Sequence, residues 1–245
     1  MKLILFVILV LSGTVAQAQY KSQVWLTAGV TAEPIKNWNV GVSSCYRSNT
    51  AGFSPATWYQ EFSVKYSGFK WIKPSIDYRF ISDWQKNSNI QNTHRLNFNL
   101  DFRSKLKRFR PGVRFRYQQL LGNFVLTGTD LDPAMRVKPY VTFMPKKGII
   151  QPTFSTEFFY NPLFGEFGQR FNRVRFGLSA EIDLKGPNQL EITCYFGKRF
   201  NTNNRYTEYL LSLEYTFEWK KLSYKHLKKD KKEKAKPEPH SVRDL

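Results

Sequence analysis

From Gln23 to Phe217, apolar residues recur at every second position, which is the period of a pleated strand and not of a helix. In the stretch 95–103, Leu96, Phe98, Leu100 and Phe102 fall on one face, while Arg95, Asn97, Asn99, Asp101 and Arg103 fall on the other. In 173–183, Val174, Phe176, Leu178, Ala180 and Ile182 likewise oppose Arg173, Arg175, Ser179, Glu181 and Asp183. The alternation predicts eleven strands, at about 22–30, 38–47, 57–66, 72–82, 92–103, 110–119, 134–144, 149–160, 170–183, 189–200 and 206–217.

Length and spacing narrow the fold. Most of these segments run to about 9–13 residues, the length a tilted strand needs to cross a bilayer, whereas strands of soluble proteins average about 5–6. Connections alternate. Ser67–Trp71, Ser104–Phe109, Pro145–Gly148 and Leu184–Asn188 are short, and Ser48–Ala56, Asp83–Gln91, Leu120–Pro133 and Asn161–Gln169 are long. Outer-membrane barrels show this alternation of short periplasmic turns and longer outward loops. The expectation is an all-β fold: a closed antiparallel up-and-down transmembrane β-barrel of 10–12 strands. Even strand numbers are the rule for such barrels. Eleven segments therefore imply either that 22–30 does not span or that a twelfth strand is missing, and Gly122–Thr129 alone does not restore parity.

The polar face carries charge on nearly every strand. A membrane barrel turns that face inward, where charges are costly unless paired. Arg79, Arg95, Asp101, Arg114, Arg116, Glu157, Arg173, Arg175, Glu181, Asp183 and Glu191 are the candidate lumen charge network, with Lys65, Lys73, Asp77, Arg136, Lys138 and Glu214 on the same face. Paired, these groups fix the barrel's shape; unpaired, they line an anion-selective path. Phe98, Leu100, Val113, Phe115, Val141, Phe176, Leu178, Ile192 and Leu213 are expected to face lipid. Rings near strand ends (Trp38, Tyr66, Trp71, Phe80, Phe109, Tyr117, Tyr160 and Phe217) are expected to form interfacial girdles.

Residues 1–18 read as a secretory signal peptide: Lys2, then an apolar run from Leu3 to Leu11, then the small-x-small site Ala16-Gln17-Ala18. Cleavage after Ala18 sends the chain to the cell outer membrane, with outer-membrane lipids and the barrel-assembly machinery as expected partners.

The blocks 92–102, Val113-Arg-Phe-Arg-Tyr-Gln118, Pro152 to Tyr160, the hairpin 173–196 and the closing Leu211 to Phe217 resemble the exported barrel proteins grouped as domain of unknown function 2490. The resemblance covers about residues 20–217 and rests on the order and spacing of alternating strands. It implies an outer-membrane barrel and carries no catalytic residues. The chain departs from the pattern by continuing past its aromatic terminal strand.

Composition changes the picture in two places. The net charge of +19 suggests nucleic acid at first sight. However, no basic helix or nucleic-acid motif accompanies it, and export argues against such a partner. Part of the excess sits in residues 218–245, where ten Lys/Arg meet five Asp/Glu in a low-complexity run. That tail is expected to be disordered and periplasmic, with an anionic surface as a candidate contact. The three domains expected are thus 1–18, 19–217 and 218–245. Chemistry is sparse. His226 and His240 fall in the tail, which leaves His94 on a strand, with Asp83 as its acidic neighbour across a loop and Ser82 and Ser88 nearby. No G-x-S-x-G signature, metal-ligand spacing or phosphate loop appears, so no cofactor is expected. Cys45 and Cys194, on separate strands, are read as unbridged. The function expected is a structural, binding or narrow-pore barrel. A rim-site lipid hydrolase using His94 and Asp83, and a soluble periplasmic β protein, are the alternatives.

Overall fold

The computed structural model describes residues 20–50, 55–84, 89–121, 134–146, 148–162, 169–184, 186–202 and 205–219. The expected signal peptide, the tail beyond Trp219, Ser88 and the stretch 122–129 lie outside them. Eleven strands form: β1 (Tyr20–Ile35), β2 (Trp38–Asn49), β3 (Pro55–Tyr66), β4 (Ile72–Trp84), β5 (Ile90–Arg103), β6 (Phe109–Leu121), β7 (Ala134–Phe143), β8 (Ile150–Asn161), β9 (Arg170–Asp183), β10 (Asn188–Arg199) and β11 (Tyr206–Glu218). Consecutive strands pair antiparallel all the way round, and β1 closes the barrel on β11.

The closure corrects the expectation of an even, wholly antiparallel barrel. The first segment does not stop short: at 16 residues it is the longest strand. It pairs in parallel with β11, from Tyr20–Thr207 to Thr31–Glu218. An odd number of up-and-down strands leaves the first and last pointing the same way, so only a parallel seam satisfies both edges. A consequence is that β1 begins and β11 ends at opposite mouths of the barrel.

The register offsets accumulate to a stagger of about 14 residues around the eleven strands, which tilts them roughly 40–45° from the axis. At about 3.3 Å per residue, a 13-residue strand then rises roughly 30 Å along the axis. Tight turns close one mouth. Lys36 and Asn37 alone link the Ile35–Trp38 pair, and Asn37 takes the left-handed φ of 70° that asparagine tolerates better than most residues. The β7–β8 ladder is interrupted between Val137–Phe158 and Tyr140–Ser155, where Pro139 has no N–H to offer.

The alternation resolves into an inverted polarity. On β5, Asn97, Asn99 and Asp101 are buried inside, Asn97 at 1% exposure, while Phe98 and Leu100 are 45% and 46% exposed outside. Leu178, Phe154, Val42 and Ile76 are similarly exposed. The small apolar core is itself inside the barrel: Cys45, Tyr59 and Ile81 cluster with Trp25 beside them. Cys45 therefore points inward and Cys194 lies exposed, and both are free thiols. Rings meet at both mouths. Trp38 and Tyr66 (centroids 5.0 Å apart), Tyr66 and Phe69 (5.1 Å), and Phe217 and Trp219 (6.1 Å) lie at the short-turn end, with Tyr160 and Phe171 (5.2 Å) at the other.

Candidate functional site: a basic belt across the lumen

Because side chains alternate, each strand presents its odd- or even-numbered residues to the lumen, and the register then sets which inward residues meet. Glu61 on β3 lies directly opposite Arg79 on β4 and takes both its Nε (2.8 Å) and its Nη2. Asp77 accepts from Arg116 at 3.2 Å. Asn99 stitches the two together, donating to Asp77 at 2.8 Å and accepting from Arg116 Nε at 2.5 Å. Asp101 gathers Arg103 (Nε, 2.9 Å), Arg114 (3.6 Å) and the Tyr140 hydroxyl (2.7 Å).

The far wall holds a longer chain. Glu157 lies between Arg136 (3.7 Å) and Arg175 (3.5 Å). Arg175 reaches on to Glu208 at 2.8 Å, and Glu208 also binds Arg173 in a two-point contact. Gly197, paired directly with Glu208, makes the room: a Cβ at this position would overlap the Glu208 carboxylate. Two carboxylates thus hold three guanidiniums that are all nearly buried.

Aromatic rings back the arginines. Phe159, 1% exposed, points inward with the guanidinium carbons of Arg136, Arg173 and Arg175 at 4.7, 5.0 and 5.3 Å from its centre. Arg47 lies over Trp25 at 3.8 Å and near Tyr59 at 4.8 Å, and Arg79 covers Tyr59 at 4.0 Å. Ring and guanidinium attract more strongly where both are desolvated. Together these groups cross the barrel at its waist and enclose a cavity of about 550 Å³, whose lining carries eleven Lys/Arg against five Asp/Glu.

The predicted network divides. Arg79, Asp101, Arg114, Arg116, Glu157, Arg173 and Arg175 join the pairs above, and Arg95 lines the cavity. Glu181 and Glu191 do not pair with arginines. They lie directly opposite each other, and Glu191 lies opposite Glu214, giving a row of three carboxylates that runs from the cavity lining at Glu214 toward the short-turn mouth. Among the described residues none of the three has a basic group within ion-pair distance. Asp183 accepts from Gln151 at 3.2 Å. The hub carboxylates Glu61 and Glu208, and the inward rings, were missed from sequence.

The rim pair is corrected. Asp83 faces the lumen, where the Thr57 hydroxyl donates to it at 2.6 Å. His94 faces out with Leu96 and Phe98; its Nδ1 shares a 2.6 Å hydrogen bond with the Tyr78 hydroxyl, and its ring packs on Phe80. The sheet lies between them, so they cannot form a base and its orienting acid. Ser82 donates to Asn92 at 2.8 Å. Among the described residues no group of three potential metal ligands occurs.

Fold and lumen define a closed β-barrel with an apolar exterior and a charged, partly filled interior. The family described as "Protein of unknown function (DUF2490)" matches residues 22–225, and the chain belongs to it. No curated protein matches the chain.

Proposed function

We propose that this protein is an outer-membrane β-barrel of the binding or narrow-pore kind, exported by the signal sequence 1–18. The observation that carries the reading is the inverted polarity. An apolar belt that includes Phe98, Leu100, Phe154 and Leu178 faces outward around a buried charged interior. Lipid rewards that arrangement and water penalises it. Strands rising roughly 30 Å fit a hydrocarbon core of about 30 Å, and closure leaves no backbone edge exposed to lipid. The belt at the waist narrows any path to a channel for small solutes.

With the short turns on the periplasmic side, β11 ends there and β1 starts at the outer mouth. The test is fractionation followed by heat-modifiable gel mobility. A folded, detergent-dependent species in the outer-membrane fraction is expected; protein that stays in solution without detergent overturns the reading. Orientation has its own readout. An epitope placed just before Tyr20 is expected to be reached by antibody on intact cells, and one after Leu245 is not.

A further inference from the structure

The cavity at the waist is more basic than its ion pairs require. Eleven basic groups line it against five acids, and Asp77 and Asp101 reach two of the lining arginines from just outside. Lys21, Arg47 and Lys138 line the cavity with no carboxylate in ion-pair distance among the described residues. Cross-strand geometry adds to the strain: Arg79 stands directly opposite Arg95, Arg116 opposite Arg136, and Arg114 opposite Lys138. Like charges directly opposite each other destabilise a sheet, and a low-dielectric wall strengthens the repulsion.

A second observation points the same way. The Nε groups of Arg47 and Arg136 are buried and have no hydrogen-bond acceptor. The rings of Trp25, Tyr59 and Phe159 back these guanidiniums, and Arg47, Arg136 and Lys138 all line the cavity. Donors fixed in advance and short of acceptors make a receptor for oxygen anions, because guanidinium forks match carboxylate and phosphate geometry.

We infer that the waist cavity is a binding site for a small multivalent oxyanion, of the phosphate or polycarboxylate type, held by Arg47, Arg136 and Lys138. The bound anion supplies negative charge to the cationic groups that line the cavity. The site deepens the reading of the barrel as a binding or narrow-pore protein, and it locates the solute at the constriction.

The experiment uses the full chain folded in detergent, titrated calorimetrically with inorganic pyrophosphate and separately with citrate, and with sodium chloride at matched ionic strength as the reference. At least one of the two polyanions is expected to bind saturably with near 1:1 stoichiometry and to raise the temperature at which the folded gel band is lost. Chloride is expected to do neither. Arg47→Gln and Lys138→Gln are each expected to weaken binding about ten-fold while the folded band persists. Lys138→Gln is the safer variant, since Lys138 makes no ion pair among the described residues. Two outcomes overturn the inference: polyanions acting no more strongly than chloride, or a folded Lys138→Gln protein that binds with unchanged affinity. Neither readout depends on membrane insertion, so failure here is separable from failure of the outer-membrane assignment, which fractionation decides.

Discussion

The waist and the short-turn mouth of the lumen are built from the same alternation, yet their charges are organised differently. At the waist, acid and base interleave: Glu157 bridges Arg136 and Arg175, and Glu208 bridges Arg175 and Arg173. At the mouth, like meets like. Glu181, Glu191 and Glu214 stand side by side across β9, β10 and β11. The bases Lys65, Lys73, Arg103 and Arg110 belong to β3, β4, β5 and β6 on the other side of the ring of strands, where Arg103 is paired with Asp101. The comparison shows that charge content does not decide what a lumen charge does. An interleaved, largely buried network acts as a brace, because its central members Glu157, Arg175 and Glu208 each hold two others. A row of like charges such as Glu181, Glu191 and Glu214 leaves each member individually dispensable and sets a field across the opening.

The largest break in that contrast is expected from Glu208→Gln. Arg173 and Arg175 both rely on this carboxylate, and its loss leaves buried guanidiniums uncompensated. The expected cost is about 3–5 kcal/mol, read from urea titration of the folded protein in detergent. A simultaneous Arg173→Gln change is expected to recover part of it, since it removes one of the stranded charges. A single variant as stable as the parent would mean that the waist is no more coupled than the mouth.

Next come two changes that alter shape without altering charge. Phe159→Ala removes a fully buried ring and the shared surface on which Arg136, Arg173 and Arg175 pack, with an expected loss of about 3 kcal/mol in the same titration. Gly197→Ala puts a methyl group where the Glu208 carboxylate now lies. That carboxylate is pinned by two arginines and has little freedom to yield, so a loss of about 1–3 kcal/mol is expected. If Gly197→Ala is neutral, Glu208 is freer than its two-arginine contact implies.

These residues also show where sequence reading succeeds and stops. All eleven strands were legible because inward and outward positions differ so sharply in polarity, as in Leu96 to Arg103. The closure was not, because parity alone cannot say that β1 would run the full height and meet β11 in parallel; that depends on a pairing between the two ends of the chain. In the lumen, alternation gave each charge its face but not its height or its neighbour. Glu181 and Glu191 looked like partners for the arginines, but the β9–β10 register sets them opposite each other and near the mouth. Glu208 went unnoticed although its alternation with Leu210, Ser212 and Glu214 placed it on the inward face. His94 is the reverse case. Its parity with Leu96 and Phe98 already put it on the outer face, and closeness to Asp83 along the chain outweighed that signal.

The smallest effect tests the mouth itself, and its sign is opposite. Glu191 is the middle of the three carboxylates, flanked by Glu181 on one strand and Glu214 on the other. Its neutral isostere, glutamine, keeps the shape and an acceptor for the Thr193 hydroxyl, which donates to Glu191 at 3.1 Å, and removes two repulsive neighbours at once. Direct like-charge pairs across a sheet cost a few tenths of a kcal/mol to about 1 kcal/mol. Glu191→Gln is therefore expected to stabilise the folded barrel by about 0.5–1 kcal/mol, where the same chemical change at Glu208 destabilises it several times over. Salt separates this account from a packing effect. The advantage of the variant is expected to shrink between low and high ionic strength, because mouth charges in contact with water are screened. A gain that does not depend on salt, or a loss of stability, would show that attraction to a base outweighs the two like-charged neighbours and that the mouth is organised like the waist.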